Sequence, residues 1–359
     1  MTMLQFLKQN LIKTFLLTTL PLFSIMSGAI AQPKQPYLTA SNSACVCDPA
    51  DPFDPKAKMP QGIYKGQCLY CQQRSVQLLT PVEAAPYKPR PGAIVFANFK
   101  HKNKFWVAQI PPNAVEDAIF QIQYYTVPAS PYIAHGQIRF RLKPGYEAIL
   151  VPQSRSSGKA DKAIRVRDMV YVANGVGLKS AAWNPVTGVF DFYAIAQEMI
   201  ALEDRIEDAF NFKFTDRVEQ IRLALTPRQK QQILLNAIAQ SSRDQTNVMY
   251  DTISRNCTTL ALRVVDSTIG YIPEKYPKEQ QEYFVNLPTG PQLNEALANK
   301  KLNPETLNEF LAEQIKKLPA LQLPTAPYDA LLRRELVNSR SKMPTLEQEF
   351  AAQYGKKKR

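Results

Sequence analysis

One short stretch constrains this chain more than any other: Asn256-Cys257-Thr258-Thr259, running into Leu260-Ala261-Leu262-Arg263-Val264-Val265-Asp266. Asn256 is a strong N-cap, because its side-chain oxygen accepts from an otherwise orphaned backbone N–H one turn in. Leu260, Ala261, Val264, Val265, Thr268 and Ile269 recur at helical spacing, so one face of the helix turns inward. Gly270 stands where such a helix wants a left-handed stop. Cys257 therefore falls in the first turn, near the positive end of the helix dipole, an environment that favours thiolate over thiol.

The thiol stands apart from the other cysteines. Five are present; Cys45, Cys47, Cys68 and Cys71 cluster near the start, and Cys257 is alone. Residues 1–31 read as an export signal: Lys8 and Lys13, an apolar run from Thr14 to Ile30, and a small-x-small site at Ala29-Ile30-Ala31. The competing reading of that run is an uncleaved membrane anchor. In an oxidising compartment the cluster reads as two disulfides, with Cys257 as the free thiol. The same C-x-C and C-x-x-C spacing also suits a four-thiolate zinc site, which is the alternative for these four residues. No cofactor and no catalytic metal is expected. The net charge is +13, but an exported protein rarely meets nucleic acid. The charge suits an anionic envelope polymer or a membrane surface instead.

Residues 32–90 are rich in Pro, Asp, Ser and Ala and read as an arm stapled by its cysteines. Ala93–Phe99 and Phe105–Ile110 flank a polar turn, which predicts a hairpin; Ala118–Val127 is also strand-like. From Gly136 the pattern alternates strictly, with Ile138, Phe140 and Leu142 on one face and His135, Gln137, Arg139 and Arg141 on the other. Pro144-Gly145 predicts a turn into a return strand, Glu147–Gln153, which would set His135 against Ser154 with Gln153 beside it. A further strand is expected at Ile164–Ala173. The period then becomes helical over Asp191–Phe210, and Thr226-Pro227-Arg228-Gln229 opens another helix with a capping box. More helices are expected at Gln292–Ala298, Pro304–Lys317, Tyr328–Val337 and Thr345–Tyr354. The expected division is 1–31 signal, 32–90 arm, 91–275 main domain and 276–359 helical extension.

A cysteine nucleophile needs a base and a group that orients the base. The chain has two histidines. His101 lies between Lys100 and Lys102 in the turn, a solvated setting, so elimination leaves His135. The orienting group would come from the return strand: Gln153 by position, Ser154 next, and Glu147 as an outsider.

Ala134-His135 entering a hairpin, then helices, then Tyr250-x5-Asn256-Cys257-Thr258-Thr259, resembles the Lnb-type N-terminal periplasmic domain family. That family in turn resembles circularly permuted papain-like proteins of the NlpC type, which include the lecithin retinol acyltransferase group. The resemblance implies an α+β fold with a small antiparallel sheet packed on helices. It also implies a Cys257 nucleophile, a His135 base and a polar third residue, with backbone N–H groups around Asn256, Cys257 and Thr258 holding the oxyanion. The chemistry implied is that of a cysteine peptidase, amidase or acyltransferase working on peptidoglycan, a lipid or a lipoprotein. Two other readings stand beside it: a non-catalytic envelope module with a vestigial Cys-His pair, and a redox or metal protein built on the clustered cysteines.

Overall fold

The computed structural model describes residues 45, 48, 50–53, 58–60, 65–125, 134–154, 162–178, 193–211, 215–243, 248–251, 255–272 and 327–351. The signal at 1–31, Cys47 and the helices expected at 292–298 and 304–317 lie outside them.

The chain is α+β. Its strands are β1 (Gln77–Leu78), β2 (Ile94–His101), β3 (Lys104–Ile110), β4 (Val115–Tyr125), β5 (Ala134–Leu142), β6 (Ala148–Pro152), β7 (Ile164–Val166), β8 (Asp168–Val176), β9 (Ala194–Ala201) and β10 (Thr215–Arg222). The helices are α1 (Pro81–Ala84), α2 (Leu202–Asn211), α3 (Pro227–Ser241), α4 (Cys257–Ile269), α5 (Pro327–Arg333) and α6 (Leu346–Glu349). The strands form one sheet of ten, in the order β10-β4-β5-β8-β9-β2-β3-β6-β7, with β1 on β2. It is larger than the small antiparallel sheet expected, and it is mixed, because β2 and β9 run parallel.

Local chemistry explains the elements that sequence located well. Lys102 and Asn103 both take positive φ, 50° and 56°, so the β2–β3 hairpin closes on a turn whose twist matches its strands. Thr226 accepts from the Gln229 N–H while the Gln229 side chain accepts from the Thr226 N–H, fixing the start of α3. Gly270, at φ 73°, ends α4 by donating its N–H to the Asp266 carbonyl.

Two expectations are corrected. Ala194–Ala201 is a strand, not the first half of a helix. All eight of its residues are buried, because β9 is central in the sheet and covered on both faces. A strand buried on both faces loses the alternation that would identify it. The second correction concerns the return strand. β6 exists, but it pairs with β3 and β7, while β5 pairs with β4 and β8. Four strands, β8, β9, β2 and β3, separate β5 from β6. Tight-turn chemistry at Pro144-Gly145 reverses the chain without obliging its two strands to pair.

The alternation along β5 defines two faces. Ile138, Phe140 and Leu142 pack with Ile233, Leu234, Ala261, Leu262, Val264 and Val265, so α3 and α4 cover the inner face. The outer face is covered too. Leu202 and Ile206 of α2 and Leu346 of α6 pack on Val170 and Val218. Gln137 and Arg139 are accordingly buried, and they hydrogen-bond across the strands rather than to solvent. Gln137 Nε2 donates to Gln121 Oε1, and Gln121 Nε2 donates to Gln220 Oε1. Arg139 reaches Asp168, Gln220 and Glu349. A buried polar layer holds only if its members are satisfied in this way.

Both flanking segments are tied to the sheet. Leu331 and Leu336 belong to the main core, and the Arg222 N–H donates to the Ser341 carbonyl at 2.7 Å. Cys45 and Cys68 form a disulfide, and Cys71 is disulfide-bonded as well. Oxidised sulfurs cannot serve as thiolate ligands, so the zinc alternative for these residues falls.

Candidate active site

Cys257 is the first residue of α4. The Asn256 Oδ1 accepts from the N–H groups of Thr258 and Thr259 at 2.9 and 3.0 Å, and the Asn256 N–H donates to Thr259 Oγ1 at 2.9 Å. A cap of this kind contributes about 1 kcal/mol to the helix. It also engages one of the expected oxyanion donors. The Thr258 N–H is taken by the cap, whereas the Cys257 N–H is the first-turn donor that Asn256 does not use.

One glycine lets this helix start close on the sheet, and a second makes room for Tyr250. A Cβ at Gly136 would lie 2.7 Å from Thr258 Oγ1 and 2.8 Å from Thr258 Cα. A Cβ at Gly175 would lie 3.1 Å from the Tyr250 ring. The Gly136 N–H and the hydroxyls of Thr258 and Tyr250 all point to the Cys257 sulfur. Since β4 occupies one edge of β5, the sulfur lies on the other edge, towards β8. There β5 and β8 pair only over Ile138–Arg141 and Asp168–Tyr171. Cys257 thus meets β5 beyond the end of that pairing.

His135 immediately precedes the glycine that touches the sulfur. Its ring leaves β5 on the outer face, opposite Gln123 on β4. Arg205 of α2 stands over it, donating Nε to Gln137 Oε1 at 2.7 Å and Nη2 to Gln123 Oε1 at 3.0 Å. The imidazole is 8% exposed, and its Nε2 has no hydrogen-bond partner. No bond therefore joins Nε2 to the Cys257 sulfur in this state. α4 covers the inner face, so the imidazole and the helix that bears Cys257 lie on opposite sides of β5.

Electrostatics reverses one expectation. Burial pushes the Cys257 thiol up, and the Gly136, Thr258 and Tyr250 donors offset only part of that rise. Desolvation outweighs the helix dipole here, so the resting group is a thiol. Burial, helped by the Arg205 charge, holds His135 well below the usual histidine range. The resting pair is neutral thiol and neutral imidazole.

The sign of the resulting pH effect is fixed. The unfolded chain protonates His135 near the ordinary value of 6.5, whereas the folded chain resists protonation. The unfolded state then binds more protons below about pH 6.5, so stability is lost as pH falls through that value. Urea unfolding at pH 5.0, 6.0 and 7.5 should show this contribution rising towards about 1.4 kcal/mol per pH unit. His135→Gln should lack it, and equal slopes in the two proteins would contradict the burial of a neutral imidazole.

The other expected site residues lie elsewhere. Gln153 Nε2 donates to Asp51 and to Asn98 Oδ1, and its Oε1 accepts the Asn98 N–H at 2.6 Å. It clamps the cysteine-bearing arm to β2. Ser154 follows it, at the same remove of four strands from β5. Neither is near His135 in the sheet. His101 is not solvated: it is 1% exposed, with Nδ1 3.1 Å from Asp204 Oδ2. Its place in the sheet removes it from contention as a base for Cys257, because β8 and β9 separate β2 from β5. Sequence reasoning missed Gly136, Tyr250 as a donor, and Arg205. Tyr250 sits in a recognisable spacing before Asn256, but nothing local shows its hydroxyl turning to the thiol.

Residues 102–278 match the model of the Lnb N-terminal periplasmic domain. This segment belongs to that family. The Lnb-type domain spans β5, α4 and thus both Cys257 and His135. No curated protein and no solved structure matches the chain. The periplasmic family and the oxidised cysteines together support a periplasmic or secreted location and an envelope-associated role. Among the described residues, no helix is long and apolar enough to cross a membrane.

Proposed function

We propose that this Lnb-type domain is a thiol acyltransferase or hydrolase, with Cys257 as nucleophile and His135 as base. One observation carries the reading: a buried thiol, ringed by donors at a capped helix start, lies against the strand residue next to a buried imidazole whose Nε2 is unpartnered. The chain order, histidine strand before cysteine helix, is that of permuted papain-like enzymes of the NlpC type.

The steps follow from the residue chemistry. His135 Nε2 takes the thiol proton as the sulfur bonds to an amide or ester carbonyl carbon. The Cys257 N–H and the Tyr250 hydroxyl supply donors to the developing oxyanion. The imidazolium returns its proton to the departing amine or alcohol, leaving a thioester. Water, or a second acceptor, then releases the acyl group and regenerates the thiol. A neutral resting imidazole suits this role, because it is already in the basic form. In the envelope, the substrates that fit are peptidoglycan peptides and the acyl chains of lipids or lipoproteins, and the basic surface suits their anionic groups.

The burial of both groups favours a second reading, a non-catalytic envelope binding module. One experiment separates the two. The full chain is incubated with p-nitrophenyl acetate and p-nitrophenyl decanoate, and hydroxylamine-labile acylation is mapped by mass spectrometry. Acyl-Cys257 should form, and His135→Ala should slow it by about a hundredfold or more. His101→Gln should not slow it. Absence of acyl-Cys257, or labelling indifferent to His135, leaves the binding module.

A further inference from the structure

The cysteine-bearing arm lies outside the segment that matches the family, yet it reaches the surroundings of Cys257. Lys58 and Cys68 pair across an antiparallel bridge, the Met59 N–H donates to the Gln67 carbonyl at 2.8 Å, and Cys68 is bonded to Cys45. This cross-linked loop presents Met59 and Leu69, which pack in one apolar cluster with Ala194 of β9 and Met249. Met59 and Met249 are both buried. The Tyr70 N–H donates to the Gly177 carbonyl at 3.0 Å, which ties the arm to the end of β8. Met249 pairs with Ala194 across an antiparallel bridge, and the next residue, Tyr250, donates its N–H to the Tyr193 carbonyl at 2.9 Å. Arg255, two residues before Cys257, donates Nη1 to the Met249 carbonyl at 3.0 Å. The Tyr250 ring packs against Gly175, Tyr193 and Leu260, and its hydroxyl points to the sulfur. A phenol hydroxyl stands at the far end of its side chain, so a small tilt of the backbone that carries it moves it off its acceptor.

We propose that Met59 and Leu69 are positioning residues for Tyr250: packed with Met249, they hold the Tyr250 hydroxyl at the Cys257 sulfur, which makes the arm a working part of the thiol site. The Cys45–Cys68 disulfide closes the loop on which both residues stand. In the acyl-transfer reading the same hydroxyl is a donor to the oxyanion, and that consequence rests on Cys257 being a nucleophile. The hold on the resting thiol does not. Loss of the hold and loosening of the core act in opposite directions. The hydroxyl favours the thiolate, so withdrawing it raises the thiol further, whereas admitting water to a thiol raised by burial lowers it.

The test is the rate of Cys257 alkylation by iodoacetamide in the full, oxidised chain, followed from pH 7 to 10 and mapped by mass spectrometry. Tyr250→Phe keeps the ring and should slow alkylation at pH 8 about tenfold, through loss of one hydrogen bond to the charged form. Met59→Ala should slow it about three- to tenfold and displace the pH profile upward, and Met59→Leu, which refills the cluster, should restore both. Leu69→Ala, at a partly buried position, should move the profile the same way and serves if Met59→Ala does not fold. Met59→Ala combined with Tyr250→Phe should be no slower than Tyr250→Phe alone, because both changes remove one contact. A merely structural role gives faster alkylation and a profile displaced downward. That result, unchanged rates, or additive losses in the double variant overturns the proposal. Acylation by p-nitrophenyl acetate keeps the two readings apart: Met59→Ala should lower its kcat and leave KM unchanged. If Cys257 is never acylated while the alkylation profiles shift as expected, the enzyme reading fails and the role of the arm stands.

Discussion

Gly136→Ala should both destabilise the protein and expose its buried thiol. The added methyl would stand 2.8 Å from the Thr258 Cα, so the backbone of α4 has to move and no side-chain rotation relieves the contact. Overpacking of this kind costs about 1–3 kcal/mol, and a backbone obstacle puts Gly136→Ala at the upper end. The displacement also lifts Cys257 away from the Gly136 N–H and towards solvent. Its thiol, held up by burial, should return towards the ordinary range. Urea midpoints and iodoacetamide rates at pH 8 measure the two effects: a lower midpoint and faster alkylation. Gly175→Ala provides the comparison, since its contact is the Tyr250 ring at 3.1 Å and a side chain can yield. A Gly136→Ala protein with wild-type midpoint and wild-type thiol protection would remove the close approach on which the site depends.

The second large effect is expected at Asp266, on the opposite end of the same helix. Its carboxylate pairs with Arg334 through two bonds, to Nε at 2.5 Å and to Nη2 at 3.0 Å. The Arg334 side chain is 0% exposed and its guanidinium lies 4.2 Å above the Tyr271 ring. Asp266→Ala leaves a buried cation without its carboxylate, which typically costs about 3–5 kcal/mol. The pair as a whole is worth far less than either half suggests, because desolvation offsets most of the attraction. Asp266→Leu combined with Arg334→Met should therefore recover most of the loss. A double-mutant cycle from urea unfolding tests this, and additive losses in the double variant would show the two residues to be uncoupled. The cycle also measures how firmly the C-terminal segment holds the helix that carries Cys257.

Legibility differed from element to element for identifiable reasons. The α4 helix, its Asn256 cap and its Gly270 stop were all readable, because each depends on residues within one or two turns. The same holds for the β2–β3 hairpin and the start of α3. β9 was misread because burial on both faces erased its period, and its apolar residues happened to recur at helical spacing. β10 was missed: Thr215–Arg222 is rich in polar and charged residues, and one of them, Gln220, serves the buried outer face rather than solvent. Gln153 failed as an orienting group for a different reason. Its nearness to His135 followed from an assumed hairpin, and pairing partners are a property of the whole sheet.

The sequence by itself determined that Cys257 is a lone thiol at a capped helix start, and that His135 precedes it on an alternating strand. Those facts are local, or matters of counting. Tertiary structure decided what surrounds them. It put Gly136 against Thr258, turned the imidazole to a face roofed by Arg205, and sent Gln153 across the sheet to Asp51. It also decided the charge state, because burial acts through the solvent that a folded chain excludes and outweighed the dipole that local sequence supplies.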